Sequence, residues 1–189
     1  MSLGPQAQRA LTVARTWLED TGVDHDRGLR PGELVVRLPG EHRLVTTVSV
    51  LVGEHTVSVS AFVVRHAEEN VTEVMRWLLR RNTRLRGVAF ALDPDDDVYL
   101  VGRLPTTAMT PTVLDDLMGT VLDTADGAFD TLLRLGFASS IRREARWRAE
   151  RGMDAANLAA FQRLVDDENG TDDETGTDDE TGTDAAGPG

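Results

Sequence analysis

The stretch from Asn70 to Pro105 constrains the fold most, because it joins an amphipathic helix directly to a two-stranded hairpin. The helix is predicted from about residue 71 to residue 84, with its apolar side chains on one side: Val74, Trp77, Leu78 and Leu85. Two runs of alternating apolar residues follow at 88–92 and 98–105, and the Asp-Pro-Asp-Asp-Asp segment between them is typical of a turn. A sheet with a helix packed against it is therefore expected.

The residues before this stretch predict one helix, a loop and three strands. Apolar residues at three-and-four spacing predict a helix over 6–20, and a loop is expected from Val23 to Gly32. Strands are expected at 33–38, 42–52 and 55–64, where β-branched residues are frequent. Gly53-Glu54 indicates a two-residue primed hairpin turn, so the last two strands are expected to be antiparallel.

Capping signals predict the helix boundaries in the rest of the chain. Asn70 and Glu73 have the spacing of a capping box at the start of the central helix. A long helix is expected to open at Thr110-Pro111 and to close at Gly136. Ser139 or Ser140 is expected to cap a helix over 141–151, and a final helix is expected from Asp154 to about residue 165.

The predicted order is α-β-β-β-α-β-β-α, followed by two short C-terminal helices. It indicates an α+β domain over residues 1–165, with an antiparallel sheet covered by helices. Residues 166–189 contain three acidic hexads, DDENGT, DDETGT and DDETGT. We expect this tail to be disordered, because its low hydrophobicity and high charge leave too little apolar surface to bury.

Charge is divided unevenly along the chain. The net charge is −12, and residues 166–189 hold ten acidic residues and no basic one. The preceding part has 22 acidic and 20 basic side chains, a balance that argues against dedicated binding of nucleic acid or membrane surfaces. The absence of cysteine excludes disulfides and thiolate metal sites. Since neither a secretion signal nor a bilayer-length apolar run is evident, a cytoplasmic location is expected.

An acidic cluster, Asp93, Asp95, Asp96 and Asp97, raises the question of a metal site. The cluster lacks the glycine and the distal glutamate of a calcium-binding loop. A solvated hairpin turn that contains proline explains it better.

The four histidines, His25, His42, His55 and His66, do not have the spacing of metal ligands. His42 and His55 flank predicted strands and are candidates to approach each other across the hairpin. The chain contains no lysine, nucleophile-elbow motif or phosphate-binding glycine motif. We therefore predict no catalytic residue, no metal and no cofactor.

Two groups of arginines remain as candidate binding residues. The first lies on and after the central helix and comprises Arg76, Arg80, Arg81, Arg84 and Arg86. The second surrounds Trp147 and comprises Arg142, Arg143, Arg146, Arg148 and Arg151. Three interpretations stay open: a surface for phosphate groups, ordinary charge at helix ends, and a surface onto which the acidic tail folds in competition with an acidic partner.

Several blocks of the sequence resemble the YbjN-type family of bacterial sensory transduction regulators. These blocks are SAFVVR (60–65), RWLLRRN (76–82), GVAFALD (87–93) and DVYLVGRLP (97–105), and LLRLGFASSIRR (132–143) is similar to its high-GC bacterial branch. The resemblance covers roughly residues 6–165 and excludes the acidic tail. It implies a fold like the type III secretion chaperones, with helices on one face of an antiparallel sheet, and it transfers no catalytic residue.

These observations lead to a functional expectation. We expect a non-enzymatic, cytoplasmic module, a homodimer, that holds a peptide or helix of a partner protein and binds neither nucleic acid nor membrane. Strand edges or a groove beside the central helix would supply the site, with Arg76, Trp77, Arg80 and Arg84 as contact residues. Trp77 is also a candidate core residue, because it lies on the apolar stripe. The alternative function is a small-molecule or signal-responsive regulator with a pocket between the sheet and the long helix.

Overall fold

A computed structural model describes residues 3–152 and shows six antiparallel strands in one sheet, ordered β1-β2-β3-β4-β6-β5. The strands are β1 (Asp24–Arg27), β2 (Glu33–Pro39), β3 (Val45–Val52), β4 (Thr56–Val64), β5 (Val88–Leu92) and β6 (Val98–Pro105). Because β6 lies between β4 and β5, the chain crosses over β6 on its way from β4 to β5. The chain divides into two units, Met1–Ser140 and Ile141–Gly189, and the whole sheet belongs to the first.

Three α-helices accompany the sheet: α1 (Pro5–Thr21), α2 (Val71–Asn82) and α3 (Pro111–Glu150), with a 3-10 turn at Thr106–Ala108. In the first unit the helices pack on the same sheet face. Trp17 of α1 donates a hydrogen bond to Asp115 of α3 at 3.2 Å, and both helices line an apolar cavity with residues of β2 and β3. The predicted α+β class, with helices on one face, is confirmed.

Cross-strand register explains which face the helices cover. Pairing aligns Val36, Val48, Ala61, Leu100 and Phe90 in one row across five strands. Every side chain in this row is at most 7% exposed. Since successive side chains of a strand point to opposite faces, this alternation makes one continuous apolar face for the helices.

The opposite sheet face has more polar side chains, and its residues are less buried. Its matching row is Val35, Ser49, Ser60, Val101 and Ala89, and all five are half-buried. In the described part of the chain no helix packs on this face. An antiparallel sheet tolerates such an arrangement, because serine and threonine side chains remain solvated.

The structure corrects the expectation of a loop over residues 23–32. Residues 24–27 instead form β1, which pairs with β2 in the register Asp24↔Arg37 to Arg27↔Leu34. The sequence of β1 is polar throughout and shows no alternation, so only backbone pairing identifies it as a strand. Arg37 also pairs with Asp24 and Asp26 at 3.3 and 2.6 Å.

The predicted primed turn at Gly53-Glu54 and the suggested approach of His42 to His55 are both wrong. Gly53 N–H donates to Thr56 O at 2.9 Å, so Glu54 and His55 are the central residues of the β3–β4 turn. None of these residues has a positive φ, which a primed turn requires. His42 and His55 do not approach each other, because they lie beyond opposite ends of the eight-residue strand β3.

The predicted capping box is also wrong. Asn70 adopts a left-handed conformation, with φ 50° and ψ 34°, and makes no side-chain cap to α2. Its amide Nδ2 instead donates to Leu135 O of α3 at 3.1 Å. Glu73 forms an ion pair with Arg76 on its own helix. The Asn70 side chain therefore joins two helices rather than starting one.

Helix α3 does not end at Gly136, and the separate helix predicted over 141–151 is part of it. Gly136 and Ser139, which indicated a helix end and a new helix start, instead form hydrogen bonds with the segment before α2. Gly136 O accepts hydrogen bonds from Glu68 N–H and Glu69 N–H at 3.0 and 3.2 Å. Ser139 N–H and Oγ donate to the Glu69 carboxylate, both at 2.7 Å.

The helix expected from Asp154 to about 165, the domain boundary after 165 and the acidic tail lie outside the described residues. Among the helices within 3–152, none combines the length and the apolar character needed to cross a lipid bilayer.

Candidate functional site

Helix α2 and the turn that follows it carry the predicted contact residues, and α2 is fixed at both ends. The segment before it is bound to α3 through Asn70, Glu68 and Glu69, as described above. At its other end Asn82 Oδ1 accepts Phe90 N–H at 2.7 Å, and Asn82 Nδ2 donates to Phe90 O at 3.1 Å. These contacts attach α2 to the edge strand β5.

Asn82 also occupies a sheet edge that could otherwise pair with another strand. Both backbone groups of Phe90 on the outer side of β5 are taken up by this one amide. The opposite edge strand, β1, is composed of charged residues and one histidine. Polar or occupied edges discourage strand addition, so neither edge favours the strand-edge mode of partner binding.

The C-terminal end of α2 borders a surface depression of about 340 Å³, lined by Trp77, Arg80, Arg81, Thr83 and Arg84. We call this depression the arginine groove. Arg80, Arg81 and Arg84 are exposed, and within the described residues their guanidinium groups form no ion pair. Residues 74–92 include five arginines and no acidic residue, so the groove is locally cationic in a chain of net charge −12.

Trp77 contributes both to the core and to the groove. Its ring lies 6.0 Å from the Phe90 ring, centroid to centroid, at a tilt of 54°. It is half-buried, and the surface left open forms one wall of the groove. An aromatic ring fixed on one side and exposed on the other, beside arginines, is a composition common at binding hot spots.

Of the four predicted contact residues, the structure brings Trp77, Arg80 and Arg84 together in the groove. Arg76 is not a lining residue and pairs with Glu73. Arg81 and Thr83 also line the groove; Arg81 belonged to the first group of candidate arginines, but neither residue was among the four predicted contacts. Arg81 could have been found from the sequence, because it adjoins Arg80 in the same cluster of arginines. Nothing in the sequence marks Thr83 except its position at the end of the helix.

A second polar site fixes the β2–β3 loop on α3. The Asp126 carboxylate accepts backbone N–H groups of Glu41, His42 and Arg43, the shortest at 2.8 Å. Burial acts to raise the pKa of Asp126, but the three N–H donors and nearby His42 outweigh it and lower the pKa below its ordinary value. A Cβ atom at Gly40 would lie 2.3 Å from Asp126 Oδ1, so this approach requires glycine.

Arg43 extends the same loop to the sheet. Its guanidinium donates to Phe62 O and Val63 O at 2.6 and 3.0 Å, beside the register shift between Phe62 and Val64. It also lies 5.5 and 5.7 Å from the ring centroids of Phe62 and Phe129. Burial lowers the pKa of Arg43, and Asp126 opposes that shift. Because Asp126 and Arg43 form hydrogen bonds with backbone groups of the β2–β3 loop and of β4, we interpret this site as structural.

The Asp93–Asp97 cluster forms the expected hairpin turn. Asp93 Oδ1 accepts Asp95 N–H and Asp97 N–H at 3.0 and 2.9 Å, and Asp96 has φ 62°. Asp97 Oδ1 accepts His66 N–H at 2.8 Å. Within residues 3–152, no group of three or more His, Asp or Glu side chains is arranged to hold a metal ion.

The second arginine group has neighbours on its own helix. Arg148 Nε donates to Glu144 at 2.7 Å, and the Arg151 guanidinium lies 4.3 Å from the centroid of the Trp147 ring. Such pairs at four-residue spacing are typical of an exposed helix. These pairs favour the interpretation of the second arginine group as ordinary charge on an exposed helix surface.

Comparison with solved structures defines the class of fold. ExsC in the ExsC–ExsE complex aligns at a TM-score of 0.50 and 16% identity, covering 70% of this chain and 97% of that chain. The Yersinia pestis type III secretion chaperone SycH, solved with a fragment of YscM2, aligns at 0.46 and 18% identity, covering 61% and 96%. The alignment with ExsC supports the fold class, which is the chaperone-like fold that the resemblance implied.

Comparison of sequences defines the family. Residues 11–134 match the YbjN family, described as a putative bacterial sensory transduction regulator. An uncharacterized protein of Mycobacterium tuberculosis is 44% identical over 164 residues, covering 85% of this chain and 88% of the relative. The chain belongs to the YbjN family.

Proposed function

We propose that this protein is a non-enzymatic, cytoplasmic protein-binding module that holds a peptide or helix of a partner protein in the arginine groove. The observation that carries the proposal is the exposed set of Arg80, Arg81 and Arg84, unpaired among the described residues, beside the half-buried Trp77. Guanidinium groups bind carboxylates through two parallel hydrogen bonds, and the aromatic wall supplies apolar contact area. ExsC was solved as a complex with ExsE, and the shared fold supports protein binding by analogy.

The alternative of a ligand pocket between sheet and long helix receives no support from the described residues. The cavity bounded by α1, α3, β2 and β3 is lined by Trp17, Leu34, Val36, Leu114 and Met118, among others. It leaves no room for a water molecule. A ligand would therefore have to displace core side chains there.

Partner capture with matched variants tests the proposed function. The double substitution Arg80→Gln and Arg84→Gln removes two exposed guanidinium groups and no buried contact. We expect capture of a stoichiometric partner from source-cell lysate to weaken at least about tenfold, since hydrogen bonds to charged groups contribute about 1.5–3 kcal/mol each. The control, Arg9→Gln with Arg103→Gln, makes the same charge change at exposed positions elsewhere. Equal capture by the test and control variants would remove the groove from the site.

The proposal includes a homodimer, and its mass is directly measurable. Light scattering after size exclusion should give about 41 kDa, twice the 20.6 kDa of one chain. A mass of one chain at micromolar concentration would contradict this part of the proposal without affecting the groove.

A further inference from the structure

We infer that the arginine groove binds the acidic hexads of residues 166–183, so that this chain carries its own competitor for the partner site. The inference rests on the proposed function, because it assigns a regulator to the same groove. It also assigns a chemistry to the groove: peptides with consecutive carboxylates.

Charge complementarity is the first argument. Between residues 74 and 92 the chain has five arginines without an acidic residue, whereas residues 166–183 contain nine acidic residues without a basic one. Arg80, Arg81 and Arg84 are exposed, and the described part of the chain provides no carboxylate that pairs with them. The strongest cationic stretch of the first unit is thus open to an anionic segment.

Spacing is the second argument. Each hexad begins with three consecutive acidic residues, and the first and third Cα atoms of an extended chain are about 7 Å apart. Arg80 and Arg81 lie in the last turn of α2, and Arg84 lies two residues beyond its end. Arg84 N–H donates to Arg81 O at 3.0 Å in a turn, and all three arginines line the same depression. One hexad can therefore pair with two or three guanidinium groups of the groove at once. Three copies of the hexad raise the effective concentration of the competing segment.

Overall charge argues against a nucleic acid as the occupant. Residues 3–140 carry 19 acidic side chains and 14 arginines. A long polyanion that extended beyond the groove would meet this negative surface, whereas a short acidic peptide would contact the groove alone. The observations therefore favour a peptide.

The test uses the full chain in two forms, the natural chain and a neutral-tail chain in which the acidic residues of 166–184 are changed to Asn or Gln. The probe is the synthetic peptide DDETGTDDETGT, titrated by calorimetry at about 50 mM and about 300 mM NaCl. We expect the neutral-tail chain to bind the probe, the natural chain to bind it at least about tenfold more weakly, and salt to weaken both. The peptide NNQTGTNNQTGT should not bind either chain.

Matched substitutions place the binding on the groove. In the neutral-tail chain, Arg80→Gln with Arg84→Gln should reduce affinity for the acidic peptide at least about tenfold, while Arg9→Gln with Arg103→Gln should not. Urea unfolding of each variant checks that the exposed substitutions leave the fold unchanged. Equal affinity in both tail forms, or no effect of the groove substitutions, would overturn the inference.

Three further outcomes decide between this inference, a nucleic-acid surface and the proposed function. Single-stranded DNA that binds the groove more tightly than the acidic peptide would overturn the inference in favour of a nucleic-acid surface. If the acidic peptide fails while partner capture still depends on Arg80 and Arg84, only the tail inference falls. If capture is also independent of these arginines, the proposed function falls with it.

Discussion

Single side chains hold the groove in place, and Asn82 is the clearest case. Its amide meets both the N–H and the C=O of Phe90, a residue that is 7% exposed. A buried backbone group that loses its partner costs about 1–3 kcal/mol, because water cannot replace the bond. Asn82 therefore stabilises the fold, blocks the edge of β5 and fixes the end of α2 that carries the groove.

Replacing Asn82 by alanine should lower the free energy of unfolding by about 1–3 kcal/mol, because both Phe90 backbone groups lose their partner. Urea denaturation measures the change. Thr72→Ala is the control, since Thr72 is exposed on the same helix, and it should change stability by no more than about 0.5 kcal/mol. Equal stability of both variants would show that the Asn82 contacts contribute nothing.

At the scale of elements, Gly136 shows how a correct local signal led to a wrong boundary. A Cβ atom there would lie 2.9 Å from Ala67 Cβ and 3.5 Å from Val74 Cγ2. Glycine is thus needed for close approach of the chain before α2 to α3, rather than for a helix end. A sequence shows that a helix position lacks a side chain, but it does not show which segment passes over it.

A pair of glycine substitutions on α3 tests this explanation. Gly136→Ala should destabilise the protein by about 1–2 kcal/mol, because the clash with Ala67 exceeds the gain in helix propensity. Gly119→Ala on the same helix meets nothing within 4 Å and should stabilise the protein by about 0.5–1 kcal/mol. Thermal unfolding followed by circular dichroism gives both values. A stabilising Gly136→Ala would show that the crossing is loosely packed.

The predicted elements succeeded where residue pattern and packing agree. Alternation in β2, β4, β5 and β6 is decided by one buried face, so the sequence predicts these strands well. The sequence did not predict β1, because its four polar residues are held in the sheet by backbone pairing with β2 and not by burial of apolar side chains. The sequence predicted Trp77, Arg80 and Arg84 as contact residues on or just after one helix, but the groove also depends on the tertiary contact between Asn82 and Phe90.

For the molecule as a whole, two carboxylates with lowered pKa values link stability to acid pH. Glu33 accepts hydrogen bonds from Arg30 and Ser49, and these contacts lower its pKa from 4.5 to about 2. The pKa of Asp126 is also below its ordinary value, since three backbone N–H groups outweigh the effect of burial. The first anchors the start of β2, and the second anchors the β2–β3 loop to α3.

A group with a lowered folded-state pKa stabilises the fold fully above its unfolded value and loses that contribution as the pH falls through the folded value. The free energy of unfolding should therefore fall from about pH 4.5 to about pH 2 as Glu33 becomes protonated, and Asp126 should add to the loss below its ordinary pKa of 3.8. Glu33→Gln should be less stable than the natural chain at about pH 6, and the gap should close near pH 2. Urea midpoints across this range measure it, with Glu19→Gln, at an exposed position of α1, as the control. A gap between the natural chain and Glu33→Gln that stayed constant with pH would mean that the Arg30 and Ser49 contacts do not favour the ionised carboxylate in solution.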